Sequence, residues 1–263
     1  MQKKEGTKAI NWRIKTMAAD WKQRIYDSYM SNGFEEAHNR NKEFEMHNRY
    51  FRKNYLKFMP KDKSCKVLEL GCGMGQFYYF CKKNGYLNYT GIDASTENIE
   101  YIKNIFDENP EVFVEDIISY LSSQKAREEK YDVVVLNDVI EHLSKSEIFD
   151  VLDGVHRILN DEGVFFIKTP NMANPFVSTA GRYIDFTHEI GFTEKSMRQV
   201  LRASCYRDIK IIGTDVYVMI PVINIISKIF SKIVNIALFL FSALYGRTSL
   251  RIFEKDILAV ARK

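Results

Sequence analysis

A glycine-rich run, GCGMG, occupies residues 71–75 and contains Gly71, Cys72 and Gly73. Glycines between a strand and a helix let the backbone approach a ligand closely, with the helix N-terminus behind it. A nucleoside triphosphate loop needs a Lys-Ser or Lys-Thr pair after its last glycine, and none follows here. The spacing G-x-G-x-G also differs from the G-x-G-x-x-G of dinucleotide sites. The run therefore predicts a ligand loop without identifying the ligand.

Acidic and amide side chains stand where the predicted strands end. Glu69 lies two residues before the run, and Asp93 lies 22 residues after Gly71, where a carboxylate can accept both hydroxyls of a ribose. Three more such side chains follow the next two strands: Asp116, Asn137 and Asp138. Because ligands bind at the carboxyl ends of strands in open α/β sheets, we expect one acidic crevice. Such a crevice repels a pyrophosphate but attracts S-adenosylmethionine, which carries an ammonium, a sulfonium and one carboxylate.

The elements that must position these groups alternate along the chain. Short apolar runs typical of strands occupy residues 66–70, 89–93, 112–116, 131–137 and 163–169. Segments with apolar residues at helical spacing lie between them, and Ser95 and the Ser144–Glu147 pair are predicted helix caps. Two further apolar strands are predicted at 208–220 and 256–263. The alternation predicts an α/β fold: a doubly wound, seven-stranded, mostly parallel sheet with helices on both faces.

Composition and charge distribution indicate the class of protein and its domain organisation. Hydrophobic residues at 46% and charged residues at 27% are ordinary for a soluble globular chain. Residues 1–65 carry 15 Lys and Arg against 8 Asp and Glu, residues 66–194 carry 11 against 22, and residues 195–263 carry 12 against 4. The acidic centre argues against a polyphosphate ligand, and the basic ends suit an anionic surface. We expect an N-terminal helical cap over residues 1–60 and a Rossmann-like domain over residues 61–263.

The same composition bears on location. The N-terminus shows no apolar core of a secretory signal, and the four cysteines show no C-x-x-C spacing. We therefore expect a cytoplasmic protein without a zinc site or a disulfide framework.

Four of these segments, in order and spacing, resemble class I S-adenosylmethionine-dependent methyltransferases: VLELGCGMGQF, GIDAS, EDI and LNDVIEHL. The similarity covers residues 66–170 and implies a Rossmann-like fold and that methyl donor. It implies that Gly71 and Gly73, with Cys72 between them and Glu69 before them, lie under the methionine part. Asp93 would bind the ribose and Asp116 the adenine amino group. By the same resemblance Ala94 and Ile117 would line the adenine and Asn137 would lie near the methyl group, while Asp138 completes the cofactor-binding set.

A hydroxyl acceptor usually needs a general base, most often histidine. If a helix begins at DVIEHL, Asp138, Glu141 and His142 share one face and could bind a hard divalent ion such as Mg²⁺, or form a base with its orienting partner. Quinone-type relatives have Glu-x-x-Glu-His at this place and use a metal, but here Asp138 replaces the first Glu. Metal dependence therefore stays open. The alternative is that Glu141 and His142 only brace the start of a helix.

The long connection from Asn171 to Thr193 holds the second histidine, His188, which we favour as the acceptor-side catalytic residue together with Asp185. Around them stand Arg182, Tyr183 and Glu189, a group able to bind sugar hydroxyls, whereas Thr193 is predicted to cap the next helix.

The segments IYDSYMSNG, DVIEHL, TPN and RYIDFTHEIGFTEKS resemble methyltransferases of bacterial surface polysaccharides. This similarity implies O-methylation of a saccharide acceptor, either a nucleotide sugar or a lipid-linked glycan. Tyr26, Tyr29 and Arg52 would close over the cofactor from the cap, or simply pack against it. A quinone-type O-methyltransferase at the membrane and a catalytically silent cofactor-binding subunit of a glycan-assembly complex remain alternatives. Nucleic-acid methylation is not expected, since no N-P-P-[YF] motif follows the fourth strand.

An apolar insertion, residues 220–247, separates the last two predicted strands. Pro221 suits a helix start and Gly246 a stop. The polar residues of this segment fall near one stripe at helical spacing, and the longest stretch without charge, residues 233–246, is shorter than the roughly 20 residues that span a bilayer. We expect an amphipathic helix that lies on the inner face of the cytoplasmic membrane, forms a homodimer, or covers its own sheet.

Overall fold

The computed structural model describes residues 25, 40–108, 110–215, 220–246 and 250–263. Within these residues the central sheet has seven strands, in the order β3-β2-β1-β4-β5-β7-β6. The strands are β1 Val67–Leu70, β2 Tyr89–Asp93, β3 Glu111–Val114, β4 Tyr131–Asn137, β5 Leu159–Pro170, β6 Arg207–Gly213 and β7 Asp256–Arg262. Strand β7 runs antiparallel to both of its neighbours, and the other pairs are parallel. The predicted fold class is confirmed.

The helices flank this sheet on both faces. In the described part of the chain they are α1 Arg40–Asn54, α2 Gln76–Lys83, α3 Thr96–Ile105, α4 Ile117–Ser122, α5 Gln124–Glu128, α6 Lys145–Ile158, α7 Ser178–Tyr183, α8 Glu194–Ala203 and α9 Pro221–Leu244, with a 3₁₀ turn at Ile140–His142. The predicted caps are confirmed. Ser95 accepts from the Asn98 amide, and Ser144 and Thr193 each close a capping box. These caps fix where α3, α6 and α8 begin.

Successive side chains of β1 point to opposite faces of the sheet, so they pack in two separate hydrophobic cores. Leu68 and Leu70 belong to the core beneath α6 and α8, while Val67 packs in the core beneath α1 and α2. Glu69 therefore points to the face that α1 and α2 cover, and it is buried there. A carboxylate in this position must find polar partners, because an unpaired buried charge is strongly disfavoured.

Three strand predictions are wrong at their ends. The third strand stops at Val114, because Asp116 accepts a hydrogen bond from the Ser119 amide at 2.8 Å and caps α4 instead. The fifth begins earlier than expected, at Leu159, and the sixth ends at Gly213 instead of continuing to residue 220. Residues 216–219 lie outside the described part of the chain.

Helix α1 docks on the face of the sheet through aromatic rings. Phe51 meets Phe77 and Phe80 of α2 at centroid distances of 5.0 and 5.7 Å, and Phe44 meets Phe106 at 5.4 Å. This helix falls inside the predicted cap, whose residues 1–39 lie outside the described part of the chain apart from residue 25. The boundary between cap and domain stays a prediction.

Helix α9 has an unusual orientation. Six of its polar residues are half-buried against the protein, whereas Lys232 is exposed; the six are Asn224, Ser227, Lys228, Ser231, Asn235 and Ser242. Its large apolar residues face outward, as Phe230 at 66% exposure and Leu244 at 90% illustrate. Val222–Leu244 is long and apolar enough to cross a membrane by length and composition, and none of its most apolar window is buried. The insertion forms the predicted helix, but it does not cover the sheet with its apolar face.

Candidate active site

A cavity of about 570 Å³ opens at the carboxyl ends of β1, β2 and β4. All ten residues predicted to bind the cofactor contribute to its wall: Glu69, Gly71, Cys72, Gly73, Asp93, Ala94, Asp116, Ile117, Asn137 and Asp138. His142 also lines the cavity, whereas His188 and Asp185 do not form part of its wall. The sequence pattern thus brings together the cofactor residues and one of the two histidines.

The glycine run forms a loop that other residues cannot adopt without strain. Gly71, Gly73 and Gly75 have φ values of 79°, 51° and 83°, in the left-handed region. The amides of Gly71 and Cys72 both donate to the Ile92 carbonyl, at 2.8 and 2.9 Å, which ties the loop to β2. A Cβ on Gly71 would lie 2.4 Å from Cγ2 of Val139. The loop therefore holds bare backbone against the cavity.

Asp93 braces the glycine loop as well as lining the cavity. Its Oδ2 accepts from the Gly73 amide at 2.8 Å, and its Oδ1 accepts from the Ser95 amide and from Nδ2 of Asn98. Loss of solvent around the carboxyl raises its pKa, and these hydrogen bonds oppose the rise. A carboxylate has about four acceptor positions, so Asp93 keeps capacity for a ligand hydroxyl.

Glu69 sits in a buried polar network under the loop. Tyr89 donates to its Oε2 at 2.5 Å, and burial raises its pKa to about 8, against the opposing effects of Tyr89 and Asn137. Oδ1 of Asn137 accepts from the hydroxyl of Tyr55 at 2.6 Å. A positive charge entering the cavity above Glu69 would favour its ionised form.

The adenine side of the cavity is more open. Asp116 is exposed and already holds the first turn of α4, while Ala94 and Ile117 are half-buried. Burial of the Cys72 side chain raises its pKa well above the ordinary value, which disfavours the nucleophilic thiolate form. The role of each residue toward the cofactor stays a prediction.

The expected helical face of Asp138, Glu141 and His142 does not form. Asp138 has a φ of 53°, in the left-handed region, so it is not part of the 3₁₀ turn at Ile140–His142. Its carboxylate accepts a hydrogen bond from Nζ of Lys168 instead. Burial alone would lower the pKa of Lys168, but the neighbouring Asp138 and Asp256 carboxylates outweigh burial and raise it. Asp138 is thus paired with Lys168 instead of sharing a helical face with Glu141 and His142.

The two histidines come together from distant parts of the chain. Their ring centroids are 4.6 Å apart, nearly edge to face. His142 Nδ1 lies 2.6 Å from Oγ1 of Thr187, and Thr187 in turn donates to Oδ1 of Asp185 at 2.6 Å. His188 Nδ1 lies 2.6 Å from the Gly181 carbonyl. Asp185 is therefore linked to His142 through Thr187, and its role beside His188 stays a prediction.

The loop around His188 is held by its own backbone. Arg182 donates to the carbonyls of His188 and Glu189, so its guanidinium braces the loop. The amides of Glu189 and Ile190 both donate to the Glu141 carbonyl, at 2.7 and 3.1 Å. Tyr183 is largely exposed. This loop and the 3₁₀ turn thus form one hydrogen-bonded unit.

Several residues of the site were missed from sequence. Met46, His47, Tyr50 and Phe51 of α1 line the cavity, whereas Arg52 is exposed and does not. Tyr26 and Tyr29 lie outside the described residues. The spacing of three or four residues along α1 could have indicated this inward face. No local signal marks Thr187 or Tyr55, whose partners are 45 and 82 residues away.

Comparison with known proteins identifies the family. Residues 38–208, more than half of the chain, match the family model described as a methyltransferase domain. The chain belongs to this methyltransferase family. The predictions of a class I methyltransferase, of its enzymatic activity and of S-adenosylmethionine as cofactor are confirmed. None of the curated proteins compared with the chain matches it.

Solved structures share the fold. A SAM-dependent methyltransferase from Archaeoglobus fulgidus is 23% identical, with a TM-score of 0.61 over 84% of this chain and 94% of the other. The putative methyltransferase in complex with the Haloferax volcanii Trm112 activator is 15% identical, with a TM-score of 0.59 over 90% and 96%. Human N-acetylserotonin methyltransferase with SAM is 12% identical, with a TM-score of 0.53 over 82% and 51%. At these identities the similarity concerns the fold alone.

Proposed function

We propose that this methyltransferase transfers the methyl group of S-adenosylmethionine to a saccharide hydroxyl during surface-polysaccharide biosynthesis. The observation that carries the proposal is the position of His142. Its imidazole lines the same cavity as the ten cofactor residues and contacts the ring of His188 at the cavity edge. A hydroxyl that reaches this pair lies beside a general base and faces the methyl donor.

The reaction is an in-line displacement at the sulfonium. The sulfur–methyl bond breaks as the bond from the acceptor oxygen to the methyl carbon forms, leaving S-adenosylhomocysteine and a methyl ether. The acceptor hydroxyl gives its proton to an imidazole nitrogen, with His188 as the predicted base and His142 beside it. Thr187 and Asp185 hold the His142 ring in orientation through their hydrogen bonds. The acidic wall of the cavity favours binding of the cationic donor and release of the neutral-sulfur product.

A polar acceptor fits the chemistry around the histidines. The loop from Asn171 to Thr193 adds Asp185 and Glu189, groups that hydrogen-bond sugar hydroxyls, and it belongs to the segment with the polysaccharide resemblance. The acceptor is a nucleotide sugar or a lipid-linked glycan. No nucleic acid is expected as acceptor.

The orientation of α9 supports a lipid-linked acceptor at the inner face of the cytoplasmic membrane. The helix turns its apolar side outward, and on the loop near the histidines Phe176, Tyr183, Ile184 and Phe186 are also exposed. A groove of about 340 Å³ beside α9 is lined by Lys228, Lys232 and Phe176. It shares Thr214, Asp215 and Lys255 with the wall of the main cavity. A surface helix with an apolar face of this width binds bilayer interfaces.

Membrane binding is tested by flotation with phosphatidylcholine–phosphatidylglycerol vesicles. The triple variant Ile226→Ser, Phe230→Ser, Ile233→Ser removes apolar area from the outward side of α9, and we expect its bound fraction to fall at least tenfold. The matched control is Ser227→Ala, Ser231→Ala, Asn235→Ala on the inward stripe, which should float like the wild type. Equal flotation of the two variants would contradict the proposed membrane face.

The acceptor is tested with labelled S-adenosylmethionine and two pools, nucleotide sugars and lipid-linked glycans. We expect incorporation of one alkali-stable methyl group into a glycan, reduced at least about 100-fold in His188→Ala while cofactor binding is retained. Methylation of a quinone pool instead, or cofactor binding without turnover on any pool, would overturn the saccharide assignment. The first outcome indicates a quinone-type enzyme, and the second a cofactor-binding subunit.

A further inference from the structure

Three metal-binding groups meet at the acceptor edge of the cavity. Glu141, His142 and His188 each offer one ligand atom, and these atoms all lie within 4.8 Å of one another. The side chains come from the 3₁₀ turn and from the loop that is hydrogen-bonded to it through the Glu141 carbonyl. The three side chains therefore come from two segments whose backbones are hydrogen-bonded to each other.

The hydrogen bonds assign the tautomers of both histidines. A carbonyl oxygen can only accept, so Nδ1 of His188 donates its proton to Gly181. Thr187 uses its single hydroxyl proton toward Asp185, so its oxygen accepts from Nδ1 of His142. In the neutral form each ring then carries its lone pair on Nε2. Histidines that bind metals show this arrangement, with the other ring nitrogen donating to a carbonyl or a carboxylate-linked group.

Glu141 supplies the second, independent observation. The residue is 3% exposed, and Oε2 accepts from the Thr169 hydroxyl at 3.0 Å. Oε1 is buried and has no hydrogen-bond partner among the described residues. A buried carboxylate oxygen without a partner is costly, and a cation beside it would satisfy it.

We propose that Glu141, His142 and His188 bind a divalent transition-metal ion. Two imidazoles and one carboxylate suit Zn²⁺, Mn²⁺, Fe²⁺ or Co²⁺, whereas Mg²⁺ prefers oxygen ligands alone. The three ligand atoms all lie within 4.8 Å of one another, which is close enough for the side chains to hold one ion between them. This set replaces the Asp138-containing face expected from sequence, since Asp138 is held by Lys168.

The catalytic role of the metal rests on the proposed function. The test of metal binding does not, because it measures binding directly. An ion held there leaves coordination positions for an acceptor oxygen at the cavity edge and lowers the pKa of a bound hydroxyl. With an ion bound, His142 and His188 would be ligands, and the acceptor proton would pass to water; the base role given to His188 above applies to the metal-free chain. The remaining residues keep their roles: Thr187, Asp185 and the Gly181 carbonyl orient the rings.

The test uses the full chain after treatment with chelator, titrated with Co²⁺, Zn²⁺ and Mg²⁺ by calorimetry and by visible absorption of the cobalt form. We expect one Co²⁺ or Zn²⁺ per chain, bound at least 100-fold more tightly than Mg²⁺, with a cobalt spectrum of low coordination number. Glu141→Gln, His142→Ala and His188→Ala should each weaken binding at least about 100-fold. His156→Ala is the matched control, since His156 packs on Tyr206 far from the cluster, and its affinity should equal that of the wild type.

Melting temperature and S-adenosylmethionine binding report whether each variant is folded. Binding of Co²⁺ that survives all three substitutions, preference for Mg²⁺, or absence of a spectrum at millimolar Co²⁺ overturns the metal site. Failure of every saccharide pool to accept methyl groups, with metal binding intact, overturns the acceptor and leaves the metal site standing.

Discussion

The two sides of the cavity are built in different ways. On the cofactor side, Gly71, Gly73 and Asp93 are fixed by backbone: left-handed glycines, amides bonded to β2, and a carboxylate bonded to the loop it faces. On the acceptor side, His142 and His188 are fixed by side-chain and loop contacts that join residues far apart in sequence. The difference teaches that one side is specified by local motifs and the other by tertiary folding.

The largest expected effect comes from breaking the backbone of the cofactor side. Gly71→Ala places a Cβ 2.4 Å from Val139 at a φ of 79°. Left-handed strain and overpacking together should reduce the free energy of unfolding by about 2–5 kcal/mol and abolish cofactor binding, as measured by denaturant unfolding and calorimetry. Gly85→Ala is the matched control, since Gly85 has a φ of 84° but only Lys63 Cγ at 3.9 Å. A cofactor affinity for Gly71→Ala equal to that of Gly85→Ala would contradict the steric account.

The second prediction concerns the carboxylate of the cofactor side. Asp93→Asn turns one acceptor oxygen into a donor that faces the amides of Gly73 or Ser95. We expect S-adenosylmethionine affinity to fall about 10- to 100-fold, since a lost charged hydrogen bond is worth about 1.5–3 kcal/mol. Asp161→Asn, at a side chain that is 94% exposed, should leave affinity unchanged. A dissociation constant for Asp93→Asn within twofold of the wild type would remove Asp93 from the cofactor site.

The third prediction separates the acceptor side from the cofactor side. Thr187→Val keeps the shape of the side chain but cuts the link from His142 to Asp185. We expect turnover to fall about tenfold, as for loss of one buried hydrogen bond of about 1–1.5 kcal/mol, with no change in the dissociation constant of the cofactor. Thr187→Ser, which restores the hydroxyl, should recover most of the rate. If both variants weaken cofactor binding equally, the two sides are not independent.

The fourth prediction concerns the pH dependence of stability through Glu69, which leaves cofactor binding and turnover aside. Its pKa is about 8 in the folded protein because of burial, against about 4.3 in an unfolded chain. Between these values the folded state holds one more proton than the unfolded state, so the stability falls as pH rises through this window, by at most about 1.4 kcal/mol per unit. Glu69→Gln should remove this part of the slope in unfolding titrations from pH 5 to 8. An identical slope in the variant would show that Glu69 does not titrate there.

The sequence predicted ten residues of the cavity wall correctly, and the reason is physical. A glycine run, a strand-end carboxylate and helix caps are short-range signals, and each of the ten predicted residues reaches the cavity wall. The pairing of His142 with Thr187 depends on how a loop folds back over a 3₁₀ turn, and no periodicity encodes it. The Asp138 face failed because a single left-handed residue and the partner Lys168 override helical spacing.

The inward polar stripe of α9 also bears on how the protein behaves in the test tube. On this helix Asn224, Ser231 and Asn235 are half-buried, whereas Phe230 and Leu244 are exposed to solvent. The helix therefore adds an exposed apolar surface to a domain whose core is buried in the ordinary way. In buffer without detergent, we expect the protein to self-associate through this apolar surface as its concentration rises. A mild non-ionic detergent at its critical micelle concentration should keep the protein monomeric without unfolding it.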